Sequence, residues 1–150
     1  MPKKVLFIED NLIKMEAVMN VLHSILPNAD ITTKDSFRSG LKELIGNSYD
    51  ILLLDMSLPT WDREGVKKQE GFERFGGETI MREMKRKKKL TPTIVITMFS
   101  EFGVGKSFID LVDLDSHLKS EFKEFYKGFV KYSSSERKWE DELKIALEKL

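Results

Sequence analysis

Four apolar runs in this sequence stop on residues able to do polar chemistry. KVLFI (4–8) meets Glu9 and Asp10, DILLL (50–54) meets Asp55, TIVI (93–96) meets Thr97, and GFV (128–130) meets Lys131. Carboxylates gathered in one place repel, and several stay ionised together only around a cation. Oxygen donors of this kind suit a hard divalent ion, Mg²⁺ above all, which keeps several of its waters. With a lysine and a hydroxyl alongside, the set makes a place where a phosphoryl group can be attached to a carboxylate. Asp55 would be the nucleophile and would form an acyl phosphate. The ion and Lys131 would neutralise the equatorial oxygens, and Thr97 would donate to one of them. A single strand-end acid that merely caps the next helix would look the same. The five positions together are what point to a site.

A second motif competes. Gly105, Lys106 and Ser107 match the end of a phosphate-cradling GxxxxGK[ST] loop behind a strand. The first glycine of that pattern is Ser100 here, and DILLLD, which could serve as a Walker B strand, precedes the loop instead of following it. The plainer reading is a Gly-hinged loop, with nucleotide binding as the alternative.

Composition narrows the rest. The chain of 150 residues balances 25 basic against 25 acidic side chains, so nothing global points to nucleic acid or to a membrane surface. It has no cysteine, which excludes disulfides and thiolate metal sites, and its 2 histidines argue against a histidine zinc site. The N-terminus is too short in apolar residues for a signal peptide, and no run reaches the roughly 20 residues of a membrane-spanning helix. These features lead us to expect a cytoplasmic protein with one domain, residues 1–150. Its length can bury about 70% of the unfolded surface.

The elements that must position the site alternate. After strand 4–8, a helix runs to Pro27 with Val18, Val21, Leu22, Ile25 and Leu26 at helical spacing, and Asp10 or Asn11 can cap it. Residues 29–33 make a weak strand. Asp35 or Ser36 opens a helix with Phe37, Leu41, Leu44 and Ile45 on one face and Gly46 just beyond it. Residues 50–54 form a strand covered on both faces, and 59–77 read as a long loop. A helix spans 78–88 with Ile80, Met81 and Met84 inward, and strand 93–97 follows Pro92. Residues 108–125 read as helix in two pieces, 128–131 as a strand. The last helix, 133–150, has a capping box of Ser133 with Glu136, and Trp139, Leu143, Ala146, Leu147 and Leu150 on one face. Five βα units imply an α/β, doubly wound parallel sheet. Ligands in such sheets sit beyond the carboxyl ends of the strands, where the five residues fall.

The order IEDN, LLLDMSLP, IVIT and FVK resembles the receiver domain of two-component response regulators, along essentially the whole chain. The resemblance implies a five-stranded CheY-like, flavodoxin-type (βα)5 sheet in the order 2-1-3-4-5. It implies Mg²⁺ held by Glu9, Asp10, Asp55 and the backbone carbonyl of Ser57. It further implies phosphorylation of Asp55 by a histidine kinase or phosphotransfer protein, with Thr97 turning toward the phosphoryl group. Such a protein is a phosphoacceptor and at most a slow autophosphatase, not an enzyme acting on other substrates. Few residues follow Lys131, enough for one helix, so signalling is expected to pass to a separate output protein; a homodimer stays open.

The chain departs from that pattern in several places. The intervals Asp55–Thr97 and Thr97–Lys131 are longer than in the family. The first excess, 60–75, is expected to lie over the acids, with Trp61, Phe72 and Phe75 packing on the domain's own surface. Gly128 stands where a switch aromatic is usual, with Phe129 one place off. Tyr132 replaces a proline, and Met98 replaces a small residue and could slow loss of the phosphoryl group. The second reading is therefore a pseudo-receiver that binds partners without phosphorylation. A haloacid-dehalogenase-type phosphatase needs an acid two residues after the strand-end aspartate, and that residue is Ser57. The basic run at Arg82 and 85–89 reads as a solvated helix end, and His23 as a structural residue among core positions.

Overall fold

The computed structural model of this protein describes residues 2–59, 72–73, 76–98, 101–102 and 109–150. Five strands, β1 (Lys4–Ile8), β2 (Asp30–Lys34), β3 (Ile51–Leu54), β4 (Thr93–Thr97) and β5 (Tyr126–Lys131), form one sheet. All its pairings are parallel and its order is 2-1-3-4-5, as the resemblance implies. Helices α1 (Leu12–Ile25), α2 (Phe37–Gly46), α3 (Gly76–Arg86), α4 (Leu111–Glu121) and α5 (Lys138–Glu148) complete the fold.

The apolar strands have a physical reason. Successive side chains of a strand point to opposite faces, so a strand covered on both faces must be apolar throughout. Leu6, Ile8, Leu52, Leu54 and Val95 face one core with α3 and α4 residues such as Ile80, Met84, Leu114 and Leu118. Val5, Phe7, Leu53, Ile94 and Ile96 face the other with Val18 and Leu22 of α1 and Trp139 and Leu143 of α5. Each such fully buried side chain contributes about 1.5–3 kcal/mol against the entropy of ordering the chain. β2, at the edge, is only partly buried, which is why its pattern is the weakest in the sequence.

Caps set the entry angles. Asn11 caps α1, its side chain accepting from the Lys14 amide at 3.0 Å, and Ser36 caps α2 through the Ser39 amide at 3.1 Å. Several expectations need correction. Gly46 is the last residue of α2, not the one beyond it. α3 begins at Gly76 and ends at Arg86, two residues earlier at both ends than expected, because Gly77 must approach the β3 end closely. Residues 109–110 pair antiparallel with 101–102, so the helix expected from 108 is a single one starting at Leu111 and closed at Phe122. The Ser133–Glu136 capping box is absent: the Ser133 hydroxyl accepts from the Ser135 amide at 3.2 Å, and α5 starts five residues later, at Lys138, without a side-chain cap. His23 is exposed rather than core-facing. Leu150 is 42% exposed and lies past the end of α5.

The expected long loop is narrowed at its base, where Leu58–Pro59 pairs antiparallel with Phe72–Glu73. Trp61, Phe75, Gly105, Lys106 and Ser107 lie outside the described residues, and Phe72 is described by its backbone alone. Apart from the backbone of 72–73, the expected placement of 60–75 over the acids and the P-loop reading both fall on residues outside those described. The basic run is exposed from Lys85 to Lys88. Arg82 pairs with Glu78 and Arg86 with Glu83 on the same helix, as on an ordinary solvated helix end. No helix among the described residues is long and apolar enough to cross a membrane.

Candidate functional site

The carboxyl ends of β1 and β3 lie side by side, with Ile8 opposite Leu54. That register alone brings Glu9 and Asp10 beside Asp55. One oxygen of each of the three acids lies within 4.8 Å of the other two. Glu9 is 1% and Asp55 4% exposed, while Asp10 is half-buried. A cavity of about 120 Å³ opens over them, lined also by Lys14, Ser57 and Met98.

The backbone fixes each acid. Asp55 N–H donates to the Ile8 carbonyl at 3.1 Å, carrying the β1–β3 ladder one step past the last strand residue. Asp55 Oδ1 accepts from the Met56 amide at 2.8 Å, and Glu9 Oε2 from the Asn11 amide at 3.1 Å. Behind Asp55, α3 presses its first turn against the chain, and Gly77 N–H donates to the Met56 carbonyl at 3.0 Å.

Sequence reasoning missed Lys14. Its ammonium donates to the Ile96 carbonyl at 2.7 Å and stands 2.6 Å from Glu9 Oε1 and 3.5 Å from Asp55 Oδ1. The side chain is 1% exposed. The signal was present: Lys14 precedes Val18 and Leu22 by one and two steps of four, which puts it on the inward stripe of α1. The contact to Glu9 is an ion pair made off the hydrogen-bond direction, so Glu9 Oε1 is buried without an aligned donor.

Charge explains the titration of this cluster. Burial, then the Asp55 charge, push Glu9 from 4.5 up to about 8, against the pull of Lys14. Burial likewise raises Asp55, with Lys14 as the chief opposing influence. Two buried carboxylates facing one ammonium leave one negative charge over. That uncompensated charge favours retention of a proton by the pair or uptake of a cation. A misaligned buried oxygen, three clustered carboxylates and an open cavity form a donor set that could hold a small hard cation.

Thr97 is fully buried at the end of β4, and Lys131 is its register partner on β5. The Lys131 side chain is exposed. It lines a neighbouring cavity of about 610 Å³ with Trp139 and Ser133. Met98, 38% exposed, lines both cavities, the one with the acids and the one with Lys131. Among the described residues Lys131 makes no ion pair with the acids; Lys14 is the cation that does.

Two departures in β5 have local causes. The β4–β5 register slips by one residue between Thr93 and Val95, a bulge that falls at 127–128. Gly128 supplies the positive φ of 118° that this bulge requires. The slip moves Phe129 opposite Val95 and leaves Lys131 opposite Thr97. Tyr132 N–H donates to the Thr97 carbonyl at 2.8 Å, a bond proline could not make, and its ring packs at a tilt against Trp139, centroids 5.0 Å apart.

No family model matches the chain. It is 28% identical over 142 residues to the Detocs response regulatory protein DtcB of Enterobacter cloacae, covering 93% of this chain and 95% of that one. It is 27% identical over 144 residues to the uncharacterized protein y4jR of Sinorhizobium fredii, covering 95% of each. Among solved structures it resembles a CheY-like response regulator receiver domain protein of Methanospirillum hungatei, with a TM-score of 0.64, 13% identity, and 99% and 94% of the two chains covered. It also resembles the response regulator TrrA of Thermotoga maritima in complex with Mg²⁺ and BeF, with a TM-score of 0.61, 22% identity, and 98% and 97% covered. A third is the receiver domain of sensor histidine kinase PA1611 of Pseudomonas aeruginosa, with magnesium in its active site cleft, at a TM-score of 0.61, 15% identity, and 99% and 97% covered.

Proposed function

Given that the chain carries the CheY-like receiver fold of response regulators, we propose that it is a phosphoacceptor switch of a two-component or phosphorelay system, modified on Asp55. The observation that carries this reading is the convergence of Glu9, Asp10 and Asp55 at adjacent strand ends, with one oxygen of each within 4.8 Å of the others. The TrrA and PA1611 structures hold Mg²⁺ on the same fold. Glu9, Asp10, Asp55 and the Ser57 carbonyl would hold Mg²⁺ here, and the bound ion would supply positive charge to the oxygens of the incoming phosphoryl group.

The chain's own residues do the rest. The Met56 amide holds Asp55 Oδ1, and Oδ2 is the oxygen we assign as nucleophile. It bonds to phosphorus as the bond from phosphorus to the donor breaks, and the donor leaves with the electron pair. Thr97 donates to one equatorial oxygen. Lys131 reaches over from the adjacent strand end once Met98 yields. The donor is a histidine kinase or phosphotransfer protein, and a partner protein reads the result. The rival reading, an interaction module that is never phosphorylated, draws on the altered β5 and on the two lengthened intervals, Asp55–Thr97 and Thr97–Lys131.

Incubation with Mg²⁺ and acetyl phosphate decides between them. Intact mass should rise by one phosphoryl group, and Asp55→Asn should abolish the increase. A folded wild-type chain that never gains mass, and shows no response to beryllofluoride, leaves the interaction module as the surviving reading.

A further inference from the structure

Lysines at the edge of a core normally lift the ammonium to water along a buried stem. Lys14 does the opposite. Its Nζ is held by Ile96 O at 2.7 Å, Glu9 at 2.6 Å and Asp55 at 3.5 Å, so it joins the ends of the adjacent strands β1, β3 and β4. A buried ammonium is several kcal/mol unfavourable unless opposite charges and hydrogen bonds offset it. Glu9 and Asp55 are that offset. They are also two of the three acids whose oxygens converge on one point. One set of donors thus faces two cations.

We propose that Lys14 is a built-in competitor for the divalent ion: ammonium and ion share Glu9 and Asp55, so the ion binds only against the charge and contacts of Lys14. The inference rests on the ion-dependent phosphoacceptor reading and adds its regulation. Lys14 keeps the buried acids partly neutralised without an ion and weakens ion affinity in the resting chain. Once the ion is bound, its two charges and the ammonium together balance three carboxylates. The ion therefore enters most favourably with a phosphoryl group, which brings further negative charge. Resting chains would carry little ion, and loading would follow the phosphodonor.

Titration calorimetry with MgCl₂ at fixed ionic strength tests this on the full chain and on Lys14→Met, which keeps an unbranched apolar stem, one atom shorter, and removes the charge. Affinity in K14M should be tighter by about tenfold or more, given two like charges a few ångströms apart. Equal affinities overturn the competition and leave the phosphoacceptor reading standing. Binding by neither chain removes that reading and the competition with it. Should K14M not fold, the wild-type chain answers alone. The ¹⁵N signal of the buried Lys14 ammonium should move with Mg²⁺ at the same midpoint as the Asp55 amide. A Lys14 signal that stays still while Asp55 shifts overturns the proposal.

Discussion

Gly77 is pressed against Asp55: a Cβ on Gly77 would lie 2.5 Å from the Asp55 carbonyl oxygen and 3.0 Å from Met56 Cα. Both atoms are backbone, so neither can turn aside. The first turn of α3 thereby fixes the chain that carries the aspartate.

Gly77→Ala should therefore cost about 1–3 kcal/mol, the usual penalty of overpacking, and should displace Asp55. Gly46→Ala is the control, since nothing lies within 4 Å of a Cβ there; it should be neutral or stabilising by up to about 1 kcal/mol. Urea unfolding of both variants checks the contrast. Equal midpoints would mean that the contact is not a constraint.

The raised Glu9 and Asp55 make a prediction about pH. An acid whose pKa is raised on folding keeps its proton in the native state while the unfolded chain has already lost it. Unfolding then releases a proton, and stability falls as pH rises. For Glu9 the contribution is fully present below about 4.5 and is lost as pH climbs through about 8. In EDTA the protein should lose on the order of 2–4 kcal/mol between pH 5 and 8. Glu9→Gln should flatten that slope, as read from urea unfolding at a series of pH values. A profile flat between pH 5 and 8 would show that the buried pair is fully ionised throughout.

Met98 lines both the cavity over the acids and the cavity beside Lys131. Met98→Ala should open the site to water and speed decay of the acyl phosphate several-fold, with little change in stability because the side chain is 38% exposed. The decay of phosphorylated chain on a phosphate-affinity gel measures it. An unchanged lifetime would remove Met98 as a barrier to water.

Lys131 is exposed. Lys131→Ala should leave stability within about 0.5 kcal/mol and slow labelling by acetyl phosphate by about tenfold to a thousandfold, the range for loss of one preorganised charge. Labelling at the wild-type rate would instead leave Lys14 as the cation that serves the phosphoryl group.

The site's parts were legible in unequal measure. Glu9, Asp10, Asp55 and Thr97 could be read because each ends a strand buried on both faces, and such strands must be apolar up to their last residue. The glycines at 76 and 77 read as loop, since glycine is a poor helix former; only the approach of α3 to Asp55 explains them. The Ser133 capping box was a plausible pattern that the chain does not use, because Ser133 is spent on a local turn with Ser135.

From residue order and apolar spacing alone came the five alternating units, the sheet they build and the acids at its carboxyl edge, because buried strands and amphipathic helices write their periods into a few consecutive residues. The place of Lys14 came only with the assembled fold. It lies 82 positions from the carbonyl that holds it, and whether a lysine on an inward stripe reaches water or turns to buried acids depends on what neighbouring strands set before it. Local pattern carries no record of that distance, and the charge balance of this site is decided across it.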